Sequence, residues 1–409
     1  MPLSSRFRGV TMTHPLRRPT PYYCLIQGLY WAVFCLMVGF ASAFLLDRGF
    51  TNAQIGLTLG ISYLLSAFLQ PVVGSLFSRN GLKLSTAIAL TYVPVVVISL
   101  ILCLVPMGHI PLMILMVALF TIQSLLQPSV NALCVHFDTE TEKVNFSLAR
   151  GVGSAAYALS SFVMGRLLAY FSPEILPAAY GLAAAALIVV LLCAKTTNDD
   201  LSDDTSSSGN ASYADILKQH PTMGLFLPGV FLLFLTFAFI DAFMLQIILS
   251  IGGTTSDLGT AITLCAMTEL PAMILYARIC KRGKGLKVYM YSLWLWLVKD
   301  ILIFLAPTVG ILFAVQLLTF VSSALYVPGM MEYMRRTLPD DQLLRGATMA
   351  GTCTTLGSLG ATCIGGVLID AFGIRQALLI MEVFGVLATV LLTIALTHAI
   401  KEANQGTVP

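Results

Sequence analysis

The chain has 409 residues, of which 57% are hydrophobic and 11% charged, and its formal net charge is +3. Soluble domains carry about 25% charged residues, so this composition excludes an ordinary soluble enzyme. The small net charge argues against a nucleic-acid partner. The nine cysteines show no CxxC spacing and the five histidines form no cluster, so no metal, cofactor or catalytic site is expected.

Twelve long apolar runs follow one another along the chain, each long enough to cross a bilayer, because roughly 20 apolar residues span its core. We therefore predict an all-α membrane protein with twelve transmembrane helices. The first six are predicted at 22–46, 53–77, 84–105, 110–136, 145–170 and 174–194. The last six are predicted at 223–250, 257–280, 286–305, 308–335, 344–369 and 373–400.

The long hydrophilic gap in the middle of the chain divides the predicted helices into two groups of six. It is acidic and rich in serine, cannot bury apolar area, and is therefore predicted to be a flexible linker. The predicted segments are an N-terminal segment (1–21), two six-helix bundles (22–194 and 223–400), the linker (195–222) and a tail (401–409).

Basic residues predict the orientation in the membrane. They concentrate in the even-numbered loops, for example at Arg79, Lys143, Lys218 and Lys284, whereas the odd-numbered loops carry little beyond Arg48 and Arg375. Cytoplasmic loops are enriched in lysine and arginine. We therefore expect a multi-pass protein of the cell membrane with both termini and the linker in the cytoplasm.

Two short motifs recur at equivalent places in the two halves. The turn after the second helix ends Gly81-Leu82-Lys83, and the turn after the eighth ends Gly285-Leu286-Lys287. The fifth helix opens Leu-Ala-Arg150-Gly, and the eleventh opens Leu-Leu-Arg345-Gly. These matches predict pseudo-symmetric bundles, a design typical of transporters whose solute site lies between the halves near the bilayer midplane.

Ionisable residues inside the hydrocarbon are functional candidates, because their burial must be compensated. The candidates for a proton-coupling charge network are Asp241, Glu269, Lys299 and Asp300. Burial disfavours the charged form of an unpaired carboxyl, so Glu269, midway along its helix, is the candidate for gaining and losing a proton. The alternative is a static partner for Lys299 or a hydrogen bond between packed helices.

Uncharged polar residues form stripes at helical spacing. Gln123, Gln127 and Asn131 recur every four residues in the fourth helix, and Gln27 lies in the first helix. A lipid-facing amide stripe is costly, so these faces are expected to point inward and to contact a solute. The alternative is hydrogen bonding between helices. The eleventh helix is rich in small residues, which predicts close approach of a neighbouring helix.

The chain resembles the major facilitator superfamily, and within it the lactose permease (oligosaccharide:proton symporter) group. The loop signature of the superfamily matches residues 74–83, with Gly74, Arg79, Gly81 and Lys83 in place and Ser78 where the signature has aspartate. The resemblance implies the major facilitator fold and a conformational role for this loop. The change to serine removes the charge that ordinarily acts there.

The resemblance also implies roles in solute binding. Glu269 in the eighth helix and Arg150 in the fifth would hold the solute, and Tyr157 would stack on it. Asn131 stands where the permease has a helix 4 glutamate, and Lys299 stands roughly where it has a helix 9 arginine. Because the histidine and glutamate of helix 10 are absent, lactose itself is not the expected solute.

These observations favour a secondary active transporter, not an enzyme, that moves a small polar solute by alternating access. The expected solutes are a saccharide, a nucleoside or a carboxylate, and the expected mode is symport with a proton or another cation. The chain lacks a Walker A motif, which argues against drive by ATP. The alternatives are proton-coupled efflux of amphipathic compounds and a non-transporting sensor or scaffold. A monomer in the lipid bilayer is expected.

Overall fold

The computed structural model describes residues 19–79, 82–138, 143–194, 213–280 and 283–404. These residues form helices joined by short turns, with no β-strand among them. Eleven of the helical stretches in this part of the chain are long and apolar enough to cross a membrane. A further long helix, Phe146–Leu167, is more polar because it contains Arg150, Arg166 and several serines and glycines. The expectation of an all-helical membrane protein is confirmed.

The helices follow the predicted spans to within four residues at each end. The first half contains α1 (Pro19–Phe34), α2 (Ala41–Asp47), α3 (Asn52–Arg79), α4 (Leu84–Leu104), α5 (His109–His136), α6 (Phe146–Leu167) and α7 (Leu176–Leu192). The second half contains α8 (Tyr213–Gln219), α9 (Met223–Ala242), α10 (Met244–Ser250), α11 (Thr255–Cys280), α12 (Gly285–Leu305), α13 (Val309–Gln316), α14 (Tyr326–Thr337), α15 (Asp340–Phe372) and α16 (Ile374–Asn404).

Three of the predicted spans are interrupted. A π-helical segment, Cys35–Gly39, joins α1 to α2, and α9 gives way to α10 at Phe243. Two short 3-10 segments, Leu317–Val321 and Ser323–Leu325, join α13 to α14. Such interruptions free backbone polar groups, which a membrane tolerates only where protein or a cavity surrounds them. The breaks therefore point to an interior cavity at this level.

Part of the segment predicted to be a linker is helical. The helix α8 lies at its end, and Ile216 in this helix is fully buried. The side chain of Gln342, in α15, donates a hydrogen bond to Gln219 Oε1 at 3.1 Å. The stretch from Tyr213 supplies the apolar side chains that the acidic stretch before it lacks, so this end docks onto the second half. Residues 195–212 of the predicted linker, 1–18 of the predicted N-terminal segment and 405–409 of the tail lie outside the described residues.

Each half packs around its own helices, and two helix pairs cross between the halves. In the first half α1 packs against α6 and α7, α3 against α5, and α4 against α7. In the second half α9 packs against α15 and α16, and α12 against α16. The crossing pairs are α3 with α15 and α6 with α11. The division into two bundles at 194 and 223 stays a prediction.

Small residues bring the crossing helices together. A Cβ added at Gly165 in α6 would lie 2.8 Å from the Cα of Gly259 in α11, and 2.9 Å from Ser256 O. A Cβ at Gly56 in α3 would collide with the backbone carbonyl of Thr362 in α15. The close approach expected of the small residues of the eleventh span is confirmed at this position. Membrane helices without a water-driven hydrophobic effect between them associate through such contacts.

Polar contacts reinforce both crossings. The Asp370 carboxylate, near the end of α15, accepts hydrogen bonds from the backbone N–H groups of Asn52 (3.1 Å) and Ala53 (2.8 Å). It therefore caps the first turn of α3, where unpaired N–H groups favour an anion. At the other crossing, Ser161 Oγ and Thr263 Oγ1 share a hydrogen bond of 2.7 Å. The two halves are thus held together at two separate places.

We predict that Gly259→Ala lowers the melting temperature of the detergent-solubilised protein, because the new methyl group meets the Cα of Gly165 at 2.5 Å. Overpacking of this kind costs about 1–3 kcal/mol. The matched control is Gly351→Ala in α15, where an added Cβ meets nothing within 4 Å. Alanine is the better helix former, so the control should melt at the same or a higher temperature. Equal melting temperatures for the two variants would contradict the close crossing.

Candidate functional site

A cavity of about 400 Å³ lies where α1, α6, α9, α11 and α12 meet the interrupted tenth span. Its walls come from both halves of the chain. Five side chains of the aspartate, glutamate, lysine or arginine type belong to its lining: Arg150, Asp241, Glu269, Lys299 and Asp300. Every residue that the sequence singled out as a buried charge for proton coupling therefore borders the same space. Tyr157, the ring expected to stack on the solute, also lines it.

Arg150 is the cation of the first half. Its helix, α6, is capped one turn earlier, because the Asn145 side chain accepts a hydrogen bond from the Leu148 N–H at 3.0 Å. Arg150 Nη1 donates to Ser154 Oγ at 2.8 Å, and its Cζ lies 4.0 Å from the centroid of a Trp31 ring. This is cation–π geometry, which attracts and orients the guanidinium. Because a guanidinium has five N–H donors, donors remain for a solute.

The carboxylates and the lysine belong to the second half. Asp241 is the next-to-last residue of α9, and Lys299 and Asp300 are consecutive in α12. Glu269 lies in α11 two residues before Pro271, which has no N–H to donate to the preceding turn. The helix is therefore weakened beside the carboxyl group. Lys299 and Asp300 are only 5% and 4% exposed, so both are nearly removed from solvent.

Opposite charges interact across the cavity without touching. Arg150 interacts electrostatically with Glu269 from the other half, and Lys299 interacts with Asp241, Glu269 and Asp300. Within the described part of the chain, no two of these five groups form an ion pair within 4 Å. Each charge is thus stabilised only partly by its neighbours. A polar solute, an ion or water entering the cavity would complete the compensation.

The interrupted tenth span contributes polar groups to the opposite wall. Gln316, Thr319 and Ser323 line the cavity. Cys265 Sγ, in α11, donates a hydrogen bond to Gln316 Oε1 at 3.1 Å. The break itself lies at Ser322, whose backbone angles (φ −121°, ψ −107°) belong to neither a helix nor a strand. These polar groups of the tenth span therefore face the cavity from a locally irregular backbone.

Aromatic side chains face one another from the two halves. On one side the Trp31 ring lies 5.3 Å from Phe34 and 6.3 Å from Tyr157, measured between centroids. On the other side Phe237 packs edge-on against Trp296 at 5.3 Å, and Tyr326 lies 6.1 Å from Trp296. All of these rings belong to the cavity lining. The site therefore combines charged groups with flat apolar surfaces, which suits a ring-shaped polar solute.

The amide of Gln27 lies behind the wall instead of in it. Gln27 is fully buried, and its Nε2 donates to Asn131 Oδ1 at 3.2 Å and to Tyr23 OH at 2.7 Å. Its Oε1 accepts from Trp31 Nε1 at 3.1 Å. A chain of contacts thus runs from Asn131 through Gln27 and Trp31 to Arg150. In this structure the amides hold the ring on which the arginine rests.

The other predicted amides also lie outside the lining. Gln123 is fully buried, and its Oε1 accepts a hydrogen bond from Tyr92 OH at 2.9 Å. Its backbone carbonyl accepts from Tyr30 OH at 3.0 Å, so it joins α5 to both α1 and α4. Gln127 lies on α5 and does not border the cavity either. The amide stripe of the fourth predicted span, which lies on α5, is better described by the alternative expectation, hydrogen bonding between helices.

No described residue of the predicted conformational loop, residues 74–83, belongs to the cavity lining. Gly74 lies within α3, which ends at Arg79, and Lys83 directly precedes α4. Gly81 lies outside the described residues. The role assigned to this loop by resemblance stays a prediction.

Sequence reasoning missed several lining residues that share a helix face with a buried charge. Residues one or two turns from a charged position lie on the same face of a helix. Ser154 follows Arg150 by four positions, Phe237 precedes Asp241 by four, and Trp296 precedes Asp300 by four. Inspection of the positions three, four and seven residues before and after each charged residue would have identified these lining residues.

The sequence matches a model of the MFS_1 like family over residues 25–380. A protein named "Putative sugar efflux transporter" from Deinococcus radiodurans is 27% identical over 139 residues, which are 34% of this chain and 35% of that protein. The match therefore spans only about a third of the relative. A match of this length does not establish the activity or the solute of this chain.

Solved structures with the same fold are transporters. The nucleoside transporter NupG superposes with a TM-score of 0.74, covering 92% of this chain and 99% of that one at 12% identity. A bacterial homologue of the human lysosomal transporter Spinster, in an inward-facing and unoccupied conformation, gives a TM-score of 0.68. That match covers 94% of this chain and 97% of the other at 14% identity. At such identities the likeness establishes the fold alone.

We predict that Cys265 reacts with a small maleimide in native membranes and that Cys35 does not. Cys265 lines the cavity, whereas Cys35, in the neighbouring π-helical segment, is fully buried. The comparison uses two variants that each retain one of these cysteines, and it measures the labelled fraction by mass spectrometry. Equal labelling of both variants would contradict an accessible cavity at this position. Labelling of the Cys35 variant without labelling of the Cys265 variant would contradict it as well.

Proposed function

The chain belongs to the MFS_1 like family and is a secondary transporter of the major facilitator superfamily, and we propose that it is a proton-coupled symporter of a small polar solute. The solute binds in the central cavity between the two halves. The observation that supports this most directly is the meeting of Arg150 from α6 and Glu269 from α11 at one cavity. A solute bound there touches both halves.

The lining suggests the chemistry of the solute. Arg150 supplies hydrogen-bond donors, Glu269 and Asp241 supply acceptors, and Trp31 and Trp296 supply flat apolar faces. A saccharide has hydroxyl groups that both donate and accept, together with an apolar ring face. A nucleoside has the same features and an aromatic base. Drug-sized and metabolite ligands occupy pockets of about 300–1,000 Å³, and the cavity lies within that range at about 400 Å³.

Charge balance supports the coupling to protons. The lining holds two cations, Arg150 and Lys299, and three carboxylates, Asp241, Glu269 and Asp300. With all groups ionised the sum is two minus three, a net charge of −1. One bound proton makes the lining neutral, which lowers the cost of closing the cavity in a low-dielectric surrounding. We assign this proton to Glu269, because Arg150 and Lys299 both interact with its carboxylate and can compete with the proton for it, so that binding and release are both possible.

Alternating access requires the two helix crossings to open together. The Asp370 carboxylate on the first turn of α3 and the Ser161–Thr263 hydrogen bond hold the crossings in this structure. Under the predicted orientation both crossings lie toward the extracellular side of the membrane, because Asp370, Gly165 and Gly259 are near helix ends that lead to odd-numbered loops. Release of both sets of contacts would open the cavity to that side, and their re-formation would close it.

The central prediction concerns Glu269→Gln. The amide cannot exchange a proton but keeps the size of the side chain, so uphill uptake driven by a pH gradient should be lost while solute counterflow remains. Both are measured with radiolabelled solute in proteoliposomes. Glu332→Gln is the matched control, because Glu332 lies outside the cavity and pairs with Arg336 at 2.6 Å. Undiminished accumulation by Glu269→Gln would remove Glu269 from the coupling mechanism.

A second candidate is proton-coupled efflux, which the name of the Deinococcus relative, "Putative sugar efflux transporter", favours. The two modes move protons in opposite directions when solute is added outside proteoliposomes. Symport carries protons inward with the solute and makes the outside more alkaline, whereas exchange for protons makes it more acidic. We expect alkalinisation with one member of a panel of saccharides, nucleosides and carboxylates. Acidification would instead establish efflux by exchange.

A further inference from the structure

Glu382 carries a buried carboxyl group that lies outside the cavity lining. It lies in α16, is only 6% exposed, and does not belong to the cavity lining. Both of its carboxylate oxygens are buried without a hydrogen-bond partner among the described residues. A structural glutamate of a helix interface ordinarily has such a partner, because burying an unsatisfied charged group is costly. Its position therefore calls for another explanation.

The surroundings of Glu382 contain one direct route to the cavity. Among the described residues, Asp300 in α12 is the charged group that interacts with it. Asp300 itself lines the cavity, beside Lys299. From α9, Thr236 approaches the carboxylate: a Cβ at Gly385 would lie 3.4 Å from both Glu382 Oε2 and Thr236 Oγ1. Thr236 donates its proton to Leu232 O, so it offers Glu382 no donor in this structure.

Glu382 and Asp300 lie on helices that pack against each other, α16 and α12, and they interact electrostatically. Two carboxylates close together in a low-dielectric interior cannot both be ionised without a large cost. Lys299 is adjacent to Asp300 in sequence and stabilises the ionised form of Asp300. No cation of the described chain interacts with Glu382, which leaves the proton on Glu382 when the pair is singly protonated. Asp241, on α9, interacts with Lys299 and competes with Asp300 for the same cation.

We propose that Glu382 and Asp300 form a proton-binding site of the transporter, and this inference rests on the proton-coupled function proposed above. A proton from cavity water binds an Asp300 carboxylate oxygen and passes to Glu382. Only O–H bonds form and break, and the proton returns to water by the same path. When a solute draws Lys299 toward the cavity, Asp300 loses its cation and the pair retains its proton. The pair thus links solute binding to proton uptake.

The test compares wild-type protein with Glu382→Gln, Asp300→Asn and the control Glu332→Gln. One readout needs no transport: infrared difference spectra report the carbonyl stretch of a protonated carboxylic acid. We expect this band in the wild type and the control at neutral pH. In Glu382→Gln the component due to Glu382 should be lost, while any component due to Glu269 remains. In proteoliposomes, Glu382→Gln should lose uphill accumulation of solute and retain counterflow. Melting temperature establishes that each variant is folded, and Asp300→Asn replaces Glu382→Gln if the latter does not fold.

Two outcomes overturn the inference. One is an infrared band that is unchanged in Glu382→Gln, since Glu382 would then hold no proton. The other is uphill accumulation equal to the wild type in that variant. If Glu269→Gln abolishes coupling while Glu382→Gln does not, the proposed function stands and only this site fails. If the wild type moves no protons with solute, the proposed function fails, and the infrared band still decides whether Glu382 is protonated.

Discussion

The structure depends on enclosing five charged side chains around one cavity, and among the described residues no two of them form an ion pair within 4 Å. A charged side chain at the centre of a membrane helix costs about 2.5–3.5 kcal/mol or more, so these groups need an enclosing bundle and partners. The bundle supplies Ser154 and the Trp31 ring for Arg150, and supplies Lys299 for the carboxylates. The remaining compensation is left to whatever enters the cavity. That incompleteness supports the proposal that the cavity binds a solute, since fully paired charges would leave few groups to contact one.

The same two helices that carry the central charges also form a close crossing between the halves. Arg150 belongs to α6 and Glu269 to α11, and these helices touch through Gly165 and Gly259. A change in the charge of Glu269 alters the attraction between the two helices. In the proposed mechanism, protonation of Glu269 and separation of the helices are linked through this crossing. The weakened backbone before Pro271 gives α11 a place to bend.

Sequence reasoning predicted the fold and the buried charges but not the complete walls of the site. The long apolar runs can be read from the sequence alone. Asp241 and Glu269 stand out within them, because burial in hydrocarbon makes charged residues rare there. Whether an amide faces a cavity or a neighbouring helix depends on helix rotation, which periodicity alone does not give. Gln27 illustrates the difference, since its inward face turned out to support Trp31. The break at Ser322 also depends on tertiary packing, and no proline or glycine marks it in the sequence.

The most direct test is a double-mutant cycle on solute affinity, measured by calorimetry with the solute identified in the proteoliposome panel. The variants are Arg150→Lys, Glu269→Gln and the double substitution. If one solute bridges both side chains, the double variant should lose less affinity than the sum of the single losses. Coupling energies between groups in contact with a shared partner are about 0.5–3 kcal/mol. Strictly additive losses, or wild-type affinity in both single variants, would contradict a solute held between the two halves.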